Sequence, residues 1–347
     1  MSAPPGSRRV WGFVMDAREA FVLRTAGLVC GVLLLQMGFI FSYVAAFHDP
    51  KPHRVPVAIV APASVAPRLV GAINALPGDV ARARVASSRR AAAAQIRAGS
   101  TSAAIIVNPV GTTDRLLYAA GGGDAVATTV QEVAGQVEAR YHRRIVATDL
   151  VPLQPGDGRG LSGFYLVVGW IVGGYLMASL LGVVNGMRHQ TARKALIRLL
   201  GIVPYAIVSG FGGALIVDQL LGALTGHFLE LALLGVLVVA ATAAATMAFQ
   251  VLLGTVGIGA VILVFVVLGN PSAGGPYQPS LLPGFWRAIS GWLPNGAGTD
   301  TVRRIVYFGS NAITGHLLVL SGYLVIGAAV AVIGTQLHAR AQREAVA

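Results

Sequence analysis

The stretch GNPSAGGPYQPSLLPGFWRAISGWLPNGAGTDTVRRIVYF, residues 269–308, decides how this chain is read. It lies between two apolar runs and carries Pro271, Pro276, Pro279, Pro283 and Pro294, yet it also sets Phe285, Trp286, Ile289 and Trp292 at helical spacing. A solvated loop has no use for an aromatic stripe. A segment that dips into a membrane interface, or plugs the mouth of a helical bundle, has one. The stretch therefore points to a multi-span membrane protein with its function at the outward face.

Composition agrees. Of the 347 residues 55% are hydrophobic and only 12% charged, which no ordinary soluble domain matches. The net charge of +12 raises a nucleic-acid reading. It fails, because no basic helix, zinc-ligand spacing or aromatic–basic interleaving accompanies the charge. Lys51 and Lys194 are the only lysines. That bias, with the alanine and glycine content, suggests a GC-rich bacterial genome and a bacterial cell membrane. Cys30 is the single cysteine, so no internal disulfide can form.

A bilayer span needs roughly 20 mostly apolar residues. Six runs are expected to qualify: 25–47, 161–187, 199–221, 229–252, 256–268 and 315–337, the fifth short and joined to the fourth by a tight hairpin at Gly254 and Gly257. Val44-Ala45-Ala46 looks like a cleavage site, but the first run exceeds the ~7–15 residues of a signal-peptide core and reads as an uncleaved anchor. Arg8, Arg9, Arg18 and Arg24 precede the first run, residues 188–198 carry Arg188, Arg193, Lys194 and Arg198 without an acid, and Arg340 and Arg343 follow the last. Positive residues stay on the cytoplasmic side, so both termini and the 188–198 loop are expected inside. Arg287, Arg303 and Arg304 on the outer segment 270–313 dissent, and lipid phosphate is the expected partner of Arg303 and Arg304.

The polar insert 48–160 is then extracytoplasmic, and its pattern alternates. Strands are expected at 55–61, 80–86, 103–107, 115–119 and 145–150, and helices at 66–76, 88–98 and 125–144. This makes one α/β domain large enough to bury a core. The fold class is thus an α-helical polytopic membrane protein with an inserted α/β domain, flanked by an N-terminal segment 1–24 and a tail 338–347.

Chemistry is sparse. The chain has no P-loop, no G-x-S-x-G and no H-E-x-x-H, so neither a cofactor, a metal nor an enzymatic activity is expected. Gly121-Gly122-Gly123-Asp124 could cradle an anion at a helix start, but a turn capped by Asp124 is the simpler expectation. Gln36, Asn185 and Gln250 are the main polar residues within spans, and none is charged. Asp218, His227, Glu230 and His316 fall near the outer ends, where interfacial solvation is the simpler expectation and substrate contact the alternative. Gly173-Gly174, Gly210 and Gly212-Gly213 suit close helix packing, within the bundle or across a dimer.

The layout resembles the permease subunits of type-2 ABC exporters, closest to the phage-infection-protein-like branch with a large external domain after the first span. The likeness rests on SYVAAFHDPKPHRVPVAIV at 42–60, GNPSAGG at 269–275 and the Leu-Pro, short-helix and Arg303 pattern of 281–308, similar to that family's re-entrant outer hairpin. It implies a homodimer in membrane lipid and a separate P-loop ATPase. Docking would use the amphipathic stretch 11–21, with Trp11 and Arg18, and the basic loop with Arg188, Arg193 and Lys194. It also implies export of an amphipathic or lipid-like substrate past an outer gate of Phe285, Trp286, Trp292 and Arg303. The alternative is a non-transporting scaffold or surface receptor that works through the α/β domain.

Overall fold

The computed structural model describes the backbone of residues 7–140, 142–185 and 191–344, and the side chains of 25–137, 139, 142–184 and 191–337. A single helix, α1 (Ser7–Phe47), leads into the α/β domain. There β1 (Val55–Val60), α2 (Ala66–Asn74), β2 (Ala81–Val85), α3 (Arg89–Arg97), β3 (Ala103–Ile106), β4 (Thr113–Tyr118), α4 (Asp124–Arg140) and β5 (Arg144–Asp149) follow, each close to its expected place. The strands form one sheet in the order β2-β1-β3-β4-β5. β1 is parallel to β2 and β3, β3 and β4 are antiparallel, and β4 and β5 are parallel.

The layering follows from period-2 alternation. Val55, Val57 and Ile59 pack with residues of α2 and α4, while Ala58 on the other face packs with Ala92 and Ile96 of α3. β1 is buried on both sides because the chain crosses from β2 back over β1 to β3, which sends α2 and α3 to opposite faces. Ser88 caps α3 by accepting from the Ala91 N–H at 3.1 Å.

Beyond the domain lie α5 (Ser162–Asn185), α6 (Ala192–Leu215) with a π turn at Ile216–Leu220, and α7 (Phe228–Leu253). α8 (Val256–Ile262), a second π turn (Leu263–Leu268) and α9 (Gly269–Ser272) run on without a break. Then come α10 (Gly284–Ser290), α11 (Pro294–Phe308) and α12 (Thr314–Glu344). Among the described residues five helical stretches are long and apolar enough to cross a membrane: Thr25–Phe47, Ser162–Val184, Ala192–Leu220, Phe228–Leu253 and Thr314–Leu337. The expected sixth is the shorter Val256–Ser272. Gly254, at φ 62°, makes the sharp turn that sets it directly after α7.

α7 is the central post of the bundle, enclosed by α5, α6 and α12. A Cβ on Gly174 would meet Val239 O at 2.7 Å and one on Gly210 would meet Ala232 O at 2.6 Å. These glycines let α5 and α6 close on α7, so they serve packing within one chain. Thr242 and Thr246, buried on α7, donate to the carbonyls of Val238 and Thr242 one turn earlier, so neither hydroxyl is left unpaired. α1 stands apart, its apolar stretch almost wholly exposed.

Candidate functional site

α11 joins the two halves of the molecule. Pro294 opens it, in the first turn where a missing N–H costs nothing, and its N-terminal half is buried among α5, α7 and the 263–272 segment. Asn295 donates to Phe265 O at 2.9 Å and to Asn270 Oδ1 at 2.8 Å. At the other end Phe308 enters the α/β core beside Ile96 and Leu117.

The junction is polar and buried. Tyr307 donates to Asp157 Oδ2 at 2.6 Å, and the Gln154 N–H reaches the same phenol oxygen at 3.3 Å. Asp157 is 3% exposed, and its other oxygen accepts the Ser162 N–H at 2.9 Å, which caps the start of α5. Gln154 is tied in turn to Thr225, whose N–H it accepts at 2.7 Å. Burial, then Asp157, pushes the Tyr307 phenol above its ordinary range. On the same helix Asp300 collects Arg304 Nε at 2.6 Å, Arg303 Nη1 at 3.3 Å and His316 Nε2 at 2.9 Å. Burial pushes its carboxyl up, but the His316 hydrogen bond and both guanidiniums outweigh this and hold it well below the usual carboxylate range.

The expected gate does not converge. Trp286 is buried with Ala46 of α1 and Leu282, whereas Phe285 stacks edge-on against it at 5.0 Å and points outward. Trp292 is 73% exposed and stands at the rim of a different feature, an apolar groove of about 660 Å³ between α7 and α12. Arg303 is 8% exposed and donates to Gly274 O at 2.6 Å, so it is an internal tie and not a partner of lipid phosphate. Arg304 is turned inward as well, onto Asp300 and Asn311 O. Physically, two arginines on a half-buried helix are stabilised more by a carboxylate and carbonyls within reach than by headgroups beyond it.

The anion cradle at Gly121–Asp124 is occupied by protein. Gln278 Oε1 accepts the Val126 N–H in the first turn of α4, at 3.3 Å, so Gln278, and not Asp124, supplies the helix-start acceptor. Gly123 has φ 137°, and any Cβ there would collide with the Gln278 amide. Of the expected docking residues, Trp11 and Arg18 lie on α1 where the backbone alone is described, Arg188 falls outside the described residues, and Arg193 and Lys194 form the first turn of α6.

Sequence reasoning missed Arg198. It belongs to α6, 7% exposed, and its Nη2 donates to Gln250 Oε1 at 2.9 Å and to Ala178 O. Gln250 also donates to Ala178 O at 3.3 Å, so one polar knot clasps α5, α6 and α7 at the end remote from the α/β domain. The basic cluster around it hid this role. Among the described residues no group of three or more His, Cys, Asp or Glu side chains could hold a metal ion. No family model, curated protein or solved structure matches this chain.

Proposed function

We propose that the protein is a membrane permease subunit of the type-2 ABC exporter kind, which moves an amphipathic or lipid-like substrate outward with energy from a separate P-loop ATPase. In this reading Val256–Ser272 crosses as a sixth, short span, both termini are cytoplasmic, the α/β domain is outside and two copies pair. The observation that carries it is the α7–α12 groove. Its wall is apolar from Leu252 and Val330 to Leu318, with Trp292 at the rim, and its volume of about 660 Å³ suits an organic ligand of drug or lipid-tail size. Gly322 leaves its floor open, with nothing within 4 Å of an added Cβ.

Export of a fluorescent lipophilic compound from cells tests it. Gly322→Trp, which fills the groove, should cut export at least tenfold, and Trp292→Ala should lower it, both with melting temperature preserved. Trp286→Ala, in contrast, should cost about 3–5 kcal/mol of stability through the cavity it leaves. Unchanged export in both groove variants would remove the basis of the reading. The scaffold alternative draws on the firm seating of the α/β domain, and excising 55–150 should abolish function under it.

A further inference from the structure

The α/β domain carries its charge unevenly. Residues 48–160 hold thirteen Lys and Arg against eight Asp and Glu. Within 62–107 the count is six arginines against Asp79 alone, and the remainder balances at seven and seven. Asp79 is itself engaged by Arg54. Four of these six arginines sit on β2 and the start of α3, with Arg68 on α2 and Arg97 in the last turn of α3. Arg82, Arg84, Arg89 and Arg90 are exposed, and none has an acidic partner among the described residues.

Charged side chains on an edge strand commonly guard it against pairing with another strand. Here that task is already done. The Asn74 side chain of α2 accepts the Ala83 N–H at 2.7 Å and donates to Ala83 O at 3.1 Å, which blocks the free edge of β2 at its middle residue. An uncompensated run of arginines costs self-repulsion, so a ligand that neutralises it is the simplest account.

We infer that this edge binds an extended anionic polymer by charge alone. Arg82 and Arg84 project from one face of β2, opposite Ala83, which is buried under α2. The strand begins at the bundle side, where Lys51 and His53 N–H groups donate to Leu281 O and Ser280 O, and runs away from it. Its five residues and the turn to Arg89 cover about 16 Å or more. That exceeds the ~8–10 Å over which exposed charges act at ordinary salt, so a flat lipid surface could not engage both ends. A polymer lying along the strand can. The sequence ARARVASSRRAAAAQ around it holds no aromatic ring, so the segment itself offers bases nothing to stack on.

The test uses the full chain in phosphatidylcholine nanodiscs and fluorescent inorganic polyphosphate. Affinity should fall with salt on a log–log slope of about −2 to −3, as expected for three or four neutralised charges. Arg82→Glu with Arg84→Glu should weaken binding at least tenfold. Arg115→Glu with Arg144→Glu, the same charge change elsewhere on the domain, should alter it less than twofold. Oligothymidylate of equal charge should bind no tighter than polyphosphate. Equal loss in both double variants, a flat salt dependence, or oligothymidylate tighter by tenfold would each overturn the inference. Nanodiscs free of any substrate or ATPase are used, so failure here leaves the permease reading untouched.

Discussion

Tyr307→Phe removes one oxygen from the joint between bundle and α/β domain and little else. The ring stays, wedged so closely against Gly121 that a Cβ there would lie 2.6 Å from it. What is lost is the 2.6 Å donation to Asp157, a carboxylate 3% exposed. A hydrogen bond to a charged group contributes about 1.5–3 kcal/mol. At about 1.4 kcal/mol per decade this raises the local opening constant of the joint roughly 10- to 150-fold. Native-state hydrogen exchange over 151–163, in detergent, reads that constant directly. Because the folded phenol is held above its ordinary value by burial and Asp157, the neutral form is the stable one. Its stabilisation is complete below a pH of about 10, the unfolded value, and is lost as pH rises toward the higher folded value. The variant should thus also flatten the alkaline limb of the melting profile. Exchange unchanged within twofold, with the alkaline limb intact, would refute the assignment of Tyr307 as the tie.

Two other perturbations probe the same architecture. Gly123→Ala must take φ 137° with a Cβ driven into Gln278, which should cost about 2–4 kcal/mol and raise exchange in the first turn of α4, whereas an unaltered melt would show that Gln278 does not cap it. Asp300→Asn leaves Arg303 and Arg304 short of their shared anion and should cost about 3 kcal/mol at neutral pH. Since the folded carboxyl is depressed, its contribution is full above a pH of about 4 and lost as pH falls further, so the acid limb of the wild type should shrink in the variant; identical acid limbs would count against the cluster.

The α/β domain was legible because its strands alternate and its helices are short and separated by turns, so local pattern and tertiary layer coincide. VPVAIV reads as a buried strand and is one. The aromatic stripe of 285–292 does announce a helix, α10, but helical spacing alone cannot say that Trp286 turns in while Phe285 and Trp292 turn out. α11 was harder. Asn295, Thr299, Asp300, Arg303 and Arg304 look like surface residues, and what permits burial of Asn295 and Arg303 is a pair of distant carbonyls, Phe265 O and Gly274 O. Such partners appear only once the chain has folded. Arg198 failed for the same reason, since its acceptors on Gln250 and Ala178 are brought together by helix packing.

α1 is one uninterrupted helix of 41 residues, about 62 Å long, or twice the thickness of a hydrocarbon core of ~30 Å. Among the described side chains its contacts gather toward the C-terminal end, where Ser42 donates to Val267 O, Ala46 touches the Trp286 cluster and Phe47 meets Tyr277 at 5.8 Å. From Thr25 to Phe41 no side chain is buried. A displacement of such a rod would bear on residues 267–286, the segment that supplies the Gln278 cap and the Gly274 carbonyl bound by Arg303. The clasp of Arg198 and Gln250 lies on other helices, α5, α6 and α7.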